Sequence, residues 1–158
     1  MTKAKLKKAL LAMEPEELRS MILDTYTVSK EARDYMEYWL EPDPEALFIR
    51  YEQKVKGVFF TSGGKLKPKP KLAEAKKMMK AFAAISSDPR SISAMMIRYP
   101  EIIIEWIQSS WKIHKYAEPA INNIVAAREY VEAAGLEEEF ADRLKRLAAA
   151  EKNLERYV

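Results

Sequence analysis

The segment SGGKLKPKPKLAEAKK, Ser62 to Lys77, holds the residues best suited to chemistry on a charged ligand. Lys65, Lys67, Lys69 and Lys71 occupy alternate positions, Pro68 and Pro70 separate two of those pairs, and Lys76 and Lys77 follow in the next helical stretch. Clustered ammonium groups neutralise phosphates and release counterions, which makes the six lysines the candidate anion- or nucleic-acid-binding residues, with Lys3, Lys5, Lys7 and Lys8 as possible helpers. Single-strand binders also supply aromatic rings for bases to stack on, and none stands between Thr61 and Ala81. Arginine, whose fork matches phosphate and guanine, is absent from the segment. A Lys-Pro alternation is also the composition of an extended, self-repelling, solvated connector, and that is the favoured reading of residues 62–71. A nucleotide-binding loop is excluded: its pattern needs a glycine where Phe59 stands and a hydroxyl residue where Leu66 stands.

Other reactive types are sparse. His114, in WKIHKYAEP, is the one imidazole; Glu105, Tyr116 and Glu118 lie near it in sequence, but a lone histidine near a helix C-terminus is more often a dipole-favoured or exposed side chain. Glu101 and Glu105 share a helix face at i, i+4, yet a di-metal bundle also needs Glu-x-x-His motifs from two helices, and the chain has none. With no cysteine there is neither a disulfide nor a thiolate metal site. Trp106 and Trp111, with Asn122 and Asn123, suggest either a pocket or, as favoured here, two core indoles whose N–H groups are satisfied locally. No catalytic residue, metal ligand or cofactor is therefore assigned, and the protein is expected not to be an enzyme.

Helices must position these groups. The 158 residues are 48% hydrophobic and 32% charged, with four Gly and eight Pro, a globular and helix-favouring composition. Four lysines and no acid lie in residues 1–13, and six basic against eleven acidic residues in 14–62. Seven lysines face Glu74 alone in 63–82, and ten basic face twelve acidic residues in 83–158. No run approaches the length of a membrane span, and acidic EPEEL follows the short apolar stretch Ala9 to Met13 too soon for a signal peptide, so a cytoplasmic location is expected.

Helical periodicity predicts about eight helices. The first, Lys3 to Leu11, docks through Leu6, Leu10 and Leu11; the second, opened by Pro15, carries the stripe Leu18, Met21, Ile22 and Tyr26. Ser29 caps a third, with Ala32, Tyr35, Met36 and Trp39 in line. Asp43-Pro44 and Asp88-Pro89 each pair a capping acceptor with a proline suited to the first helical position. The fourth helix buries Leu47, Phe48, Tyr51, Val55 and Phe59, and the fifth buries Leu72, Ala75, Met79 and Phe82. Pro100 is expected to break the chain, and Ile102 to Ile113 to form a central buried helix. Glu118-Pro119 is expected to open another, closed by Gly135, and Leu136, Phe140, Leu144, Leu147, Glu151 and Leu154 line the last. The fold class is all-α: one domain over residues 1–158, a multi-helix bundle or a short array of helical hairpins, with the Lys/Pro-rich connector at 62–71.

The order of segments adds a resemblance. KAKLKKAL and EPEELRSMILDTY lead to an aromatic-rich helix and YEQKVKGVFF; a Lys/Pro linker, AKKMMKAFAAISSDP and a closing AAGLEEEFADRLKRL follow. This order resembles a family of small bacterial helical proteins known only as a domain of unknown function. The resemblance covers nearly the whole chain and implies the helical fold; it implies no activity, cofactor or catalytic residue. The leading functional expectation is a helical binding or scaffold protein acting through protein contacts, its oligomeric state open, with a nucleic-acid-binding accessory role through Lys65–Lys77 as the alternative.

Overall fold

A computed structural model describes residues 1–158 as eight α-helices with no β-strand: α1 (Lys3–Leu11), α2 (Pro15–Val28), α3 (Lys30–Leu40), α4 (Pro44–Phe59), α5 (Leu72–Ser86), α6 (Pro89–Gln108), α7 (Ile113–Ala133) and α8 (Ala141–Leu154), then a short 3-10 turn, Glu155–Tyr157. The all-α class is as expected. The helices form two compact units, α1–α3 in Met1–Pro42 and α4–α8 in Asp43–Val158. No helix is long and apolar enough to cross a membrane.

The helix ends follow local chemistry. Ser29 Oγ accepts from the Ala32 amide at 3.2 Å and Asp43 Oδ1 from that of Ala46 at 3.0 Å, satisfying donors that the first helical turn leaves without intrahelical partners. Asp88 accepts from the Arg90 and Ser91 amides at 3.3 Å each and from Ser91 Oγ at 2.9 Å. Gly135, at φ +69°, closes α7 in the left-handed conformation a β-carbon disfavours. Its amide donates to Glu132 O and that of Leu136 to Val131 O, the paired bonds of a Schellman end.

In the carboxy-terminal unit α6 is central and packs against α4, α5, α7 and α8. Ile102, Ile103, Trp106 and Ile107 meet Val55 and Phe59 of α4, Ala75 of α5, Tyr116, Ala117 and Ala120 of α7, and Leu154 at the end of α8. A second cluster joins Ile97 to Ile124, Ala127, Val131 and Leu147, with Leu136, Phe140 and Leu144 packed around it. Ala117, Ala120 and Ala127 are fully buried on α7, and side chains this small let α6 and α7 approach closely. Leu47, Tyr51, Val55, Phe59, Ala75 and Phe82 take the buried places their spacing predicts.

Two proline readings are corrected. Pro100 lies inside α6 and Pro119 inside α7; neither ends a helix. An interior proline removes one ladder hydrogen bond and costs about 3 kcal/mol. Around Pro100, the fully buried Ile97, Ile102, Ile103 and Trp106 each gain about 1.5–3 kcal/mol or more from burial, which outweighs that cost. Tyr116, Ala117, Ala120 and Ile124 flank Pro119 in the same way. The predicted central helix, Ile102 to Ile113, is therefore the second half of α6 followed by a turn, and His114 falls in the first turn of α7, not near a C-terminus.

The amino-terminal unit differs from its predicted packing. Leu10 and Leu18 are half-buried, but Leu6, Leu11, Met21, Ile22, Tyr26, Tyr35 and Trp39 are exposed, and Asp34 is the one buried residue of the unit.

The Asp88 cap gives a test. The Ser91 hydroxyl hydrogen bond holds this carboxyl below its usual value of 3.8, against an opposing push from burial. Its folded pKa lies below its unfolded one, so its contribution is full above the unfolded value and fades as pH falls through the folded one. Asp88→Ala is expected to cost about 1 kcal/mol in urea unfolding at pH 7, and the gap to wild type should close as the pH drops below the carboxylate range.

Candidate functional site

The lysine segment is not a free connector. α4 ends at Phe59, and Phe60 pairs with Leu66 in an isolated antiparallel bridge. The Thr61 amide donates to Lys65 O at 2.8 Å, the Gly64 amide to Thr61 O at 2.9 Å, and the Lys65 amide to Thr61 Oγ1 at 3.1 Å. Gly64, at φ +79°, supplies the left-handed residue this tight turn needs. The Lys67 amide donates to Phe59 O at 2.8 Å.

From the core, the Trp106 indole N–H donates to Lys67 O at 3.0 Å. Trp106 is 1% exposed and meets Tyr116 at 4.6 Å between ring centroids. A buried indole needs an acceptor for its one polar hydrogen, and here the acceptor is the lysine loop, 39 residues away. Lys112 Nζ donates to Pro68 O, and Pro70 is buried. Four anchors thus hold residues 60–70: the bridge, the indole, the Lys112 ammonium and the buried proline.

The six predicted lysines play different parts. Lys67 turns its ammonium onto Gly57 O at the end of α4, where a helix C-terminus favours a cation. Lys71 precedes α5 and lies 3.7 Å from Glu74. Lys65 and Lys69 are exposed and have no carboxylate partner. Lys76 and Lys77 are exposed on α5, on the side away from Ala75 and Phe82. Lys3, Lys5, Lys7 and Lys8 are exposed on α1 in the amino-terminal unit. An open depression of about 950 Å³ adjoins the turn, bordered by Lys56, Thr61, Gly64, Lys67, Glu105 and Ser109 among others.

Trp111 overturns the reading of two core indoles. It is 100% exposed in the turn between α6 and α7, next to the Lys112 that grips Pro68. Its burial was expected from its spacing within an apolar helix, but α6 stops at Gln108 and the tryptophan lies beyond the end. The turn that carries this exposed ring is thus tied to the lysine segment through its neighbour Lys112.

The remaining candidates are engaged structurally. The His114 ring meets Tyr157 edge-on at 5.3 Å. Arg98 donates to Glu52 at 2.7 Å and Glu105 at 2.6 Å, and lies 3.6 Å from Glu101, which also takes two hydrogen bonds from Arg143 at 2.7 and 3.0 Å. Burial pulls the Arg98 pKa down, but the hydrogen bonds of Glu105 and Glu52 raise it overall. The acidic pair Glu101 and Glu105 thus belongs to a charged lattice joining α4, α6 and α8. Asn122 is exposed and Asn123 donates to Pro119 O at 2.8 Å, so the two line no shared pocket with the tryptophans. Burial raises the Tyr99 hydroxyl to about 12.

A second candidate surface lies in the amino-terminal unit. α2 and α3 are tied by polar contacts: the Tyr26 hydroxyl donates to Glu37 at 2.8 Å, and the Arg33 guanidinium donates to Tyr26 O and lies 5.1 Å from the Tyr26 ring. The apolar side chains Ile22, Leu23, Val28, Trp39 and Leu40 remain exposed, Val28 at 83% and Trp39 at 71%. Over residues 14–42 three basic side chains stand against eight acidic ones.

Residues 1–156 match the model of a family of unknown function (DUF6155). No curated protein and no solved structure matches the chain.

The indole anchor makes a measurable claim. Trp106→Phe keeps an aromatic side chain, though a smaller one, but strands the Lys67 carbonyl, and is expected to cost at least about 1–3 kcal/mol in chemical denaturation. Hydrogen exchange of the Lys67 amide should quicken with it. Trp111→Phe should change stability by no more than about 0.5 kcal/mol. Unchanged Lys67 protection in Trp106→Phe would mean that the other anchors hold the loop without the indole.

Proposed function

This chain belongs to a family of unknown function, and we propose from its surface that it is a non-enzymatic helical binding module, working through protein–protein contacts in the bacterial cytoplasm. The observation that carries the reading is the lack of any buried apolar side chain in Met1–Pro42. Ordering a residue costs about 1–2 kcal/mol of backbone entropy, and a unit of this size without a core recovers little of it internally. Seating Ile22, Leu23, Val28, Trp39 and Leu40 against another surface would return about 1.5–3 kcal/mol for each side chain buried. Exposed apolar area of this kind, with polar residues around it, marks protein interaction sites.

Charge narrows the partner. With eight acidic and three basic residues over 14–42, the complement is an apolar groove rimmed by lysine or arginine. Tryptophan and tyrosine supply large contact areas with few rotors, so Trp39 and Tyr35 are the expected anchors. A binding role rather than catalysis also accords with the engagement of His114 by Tyr157 and of Glu101 and Glu105 by arginines.

The test compares the full chain with a Leu23→Glu, Trp39→Ala, Leu40→Glu variant as baits for quantitative affinity capture. These side chains are exposed, so the variant should keep its helicity and its unfolding midpoint within a few degrees. The expected result is a captured protein that falls at least about tenfold with the variant and, once purified, binds wild type but not the variant. Equal recovery of the same proteins by both baits would refute the reading.

A further inference from the structure

The lysine loop and Trp111 have no part in the amino-terminal surface, and together they form a second one. We propose that they bind single-stranded nucleic acid: Trp111 is a stacking platform for an unpaired base, while Lys65 and Lys69, with Lys76 and Lys77 on α5, neutralise the flanking phosphates.

Three observations converge on this class of ligand. The first is charge. Residues 63–82 carry seven lysines against one acid, and no carboxylate pairs with Lys65, Lys69, Lys76 or Lys77. Unpaired ammonium groups are free to neutralise phosphates and so release the cations condensed along a nucleic acid strand, which is the sequence-independent part of nucleic-acid affinity.

The second is the indole. Large aromatic side chains of folded proteins are normally highly buried, and Trp106, five residues earlier, is. Trp111 leaves its whole ring in water. Every base presents a flat π-face, so a tryptophan beside a basic strip takes unpaired bases with little sequence preference. A duplex hides those faces, and no arginine lies between Tyr51 and Pro89 to read a groove edge. An acidic peptide would satisfy the lysines but would give the indole nothing to stack on.

The third is rigidity. The loop is held by the Phe60–Leu66 bridge and by the Trp106 N–H on Lys67 O, and the Trp111 turn is joined to it through Lys112 on Pro68 O. Lys67 and Lys112 use their ammonium groups as internal fasteners, which ties the turn that carries Trp111 to the lysine loop before any ligand arrives. Ordering already present in the free protein is not paid on binding.

The experiment titrates the full-length protein into labelled 12-mers of oligo-dT and oligo-U, a hairpin duplex, inorganic polyphosphate and poly-glutamate, at 50 and 200 mM salt, reading anisotropy. Wild type is expected to bind both single strands at least about tenfold tighter than the duplex, with affinity falling steeply as salt rises. Trp111→Ala should weaken single-strand binding by about 5- to 150-fold, while Trp111→Phe, which can still stack, retains most of it. Lys65→Ser with Lys69→Ser should lower the slope of log affinity against log salt by about 1.4. Circular dichroism of each variant checks the fold, which exposed substitutions leave intact. No binding at 50 mM salt overturns the proposal. So does affinity indifferent to Trp111, or equal to that for polyphosphate or poly-glutamate, since either would make the surface a generic polyanion patch.

Discussion

One hydrogen bond organises the carboxy-terminal unit: the Trp106 indole N–H on the carbonyl of Lys67. The indole lies at the centre of α6 among residues of α4, α5 and α7, where water cannot serve it. An unmet donor there would cost roughly 1–3 kcal/mol, so the core holds its position only if a carbonyl comes to it. The chain between α4 and α5 provides one. What looks in sequence like a solvated spacer is thus part of the core's polar accounting, and its path is constrained accordingly. Its Lys67 and Pro68 carbonyls are taken by Trp106 and Lys112, while its lysine side chains are exposed.

That constraint propagates. With Lys67 fixed, the Phe60–Leu66 bridge can close on the turn at Gly64, and Pro68 lies where Lys112 reaches it. Lys112 in turn locates the turn between α6 and α7, and with it Trp111. A core indole therefore helps position a surface indole five residues away through a loop some forty residues earlier. The lattice of Arg98 and Arg143 with Glu52, Glu101 and Glu105 acts on another side of α6, tying α4 and α8 to it through charged groups that are only partly screened. Losing one arginine would leave carboxylates crowded together without their counter-charge.

The two units distribute apolar surface in opposite ways. α4–α8 bury theirs in two clusters, whereas α1–α3 hold together chiefly through capping and polar contacts such as Tyr26 with Glu37. Helical periodicity is present in both. Periodicity specifies that a stripe will be apolar, and it is silent on whether the stripe's partner lies in the same chain. The expected docking of Leu6 and Leu11 fails for that reason, and the aligned Met21, Ile22, Tyr26 and Trp39 stay exposed, whereas the stripes of α4 and α5 bury Leu47, Tyr51, Val55, Phe59, Ala75 and Phe82 and leave Phe48, Leu72 and Met79 half-buried.

The amino-acid sequence by itself determined the all-α class, the number of helices, and the starts at Ser29, Asp43 and Asp88 and the stop at Gly135, because capping and left-handed turns are settled within a few residues. The lysines of the candidate site were legible for the same reason, as a local excess of charge. Only the tertiary structure decided that Pro100 and Pro119 would be carried inside helices, since burial of their neighbours exceeds a local penalty. It alone separated two tryptophans that look alike in sequence, burying Trp106 and exposing Trp111. It also tied the turn that carries the exposed ring to the lysine loop, through contacts between residues about forty positions apart that no local pattern encodes.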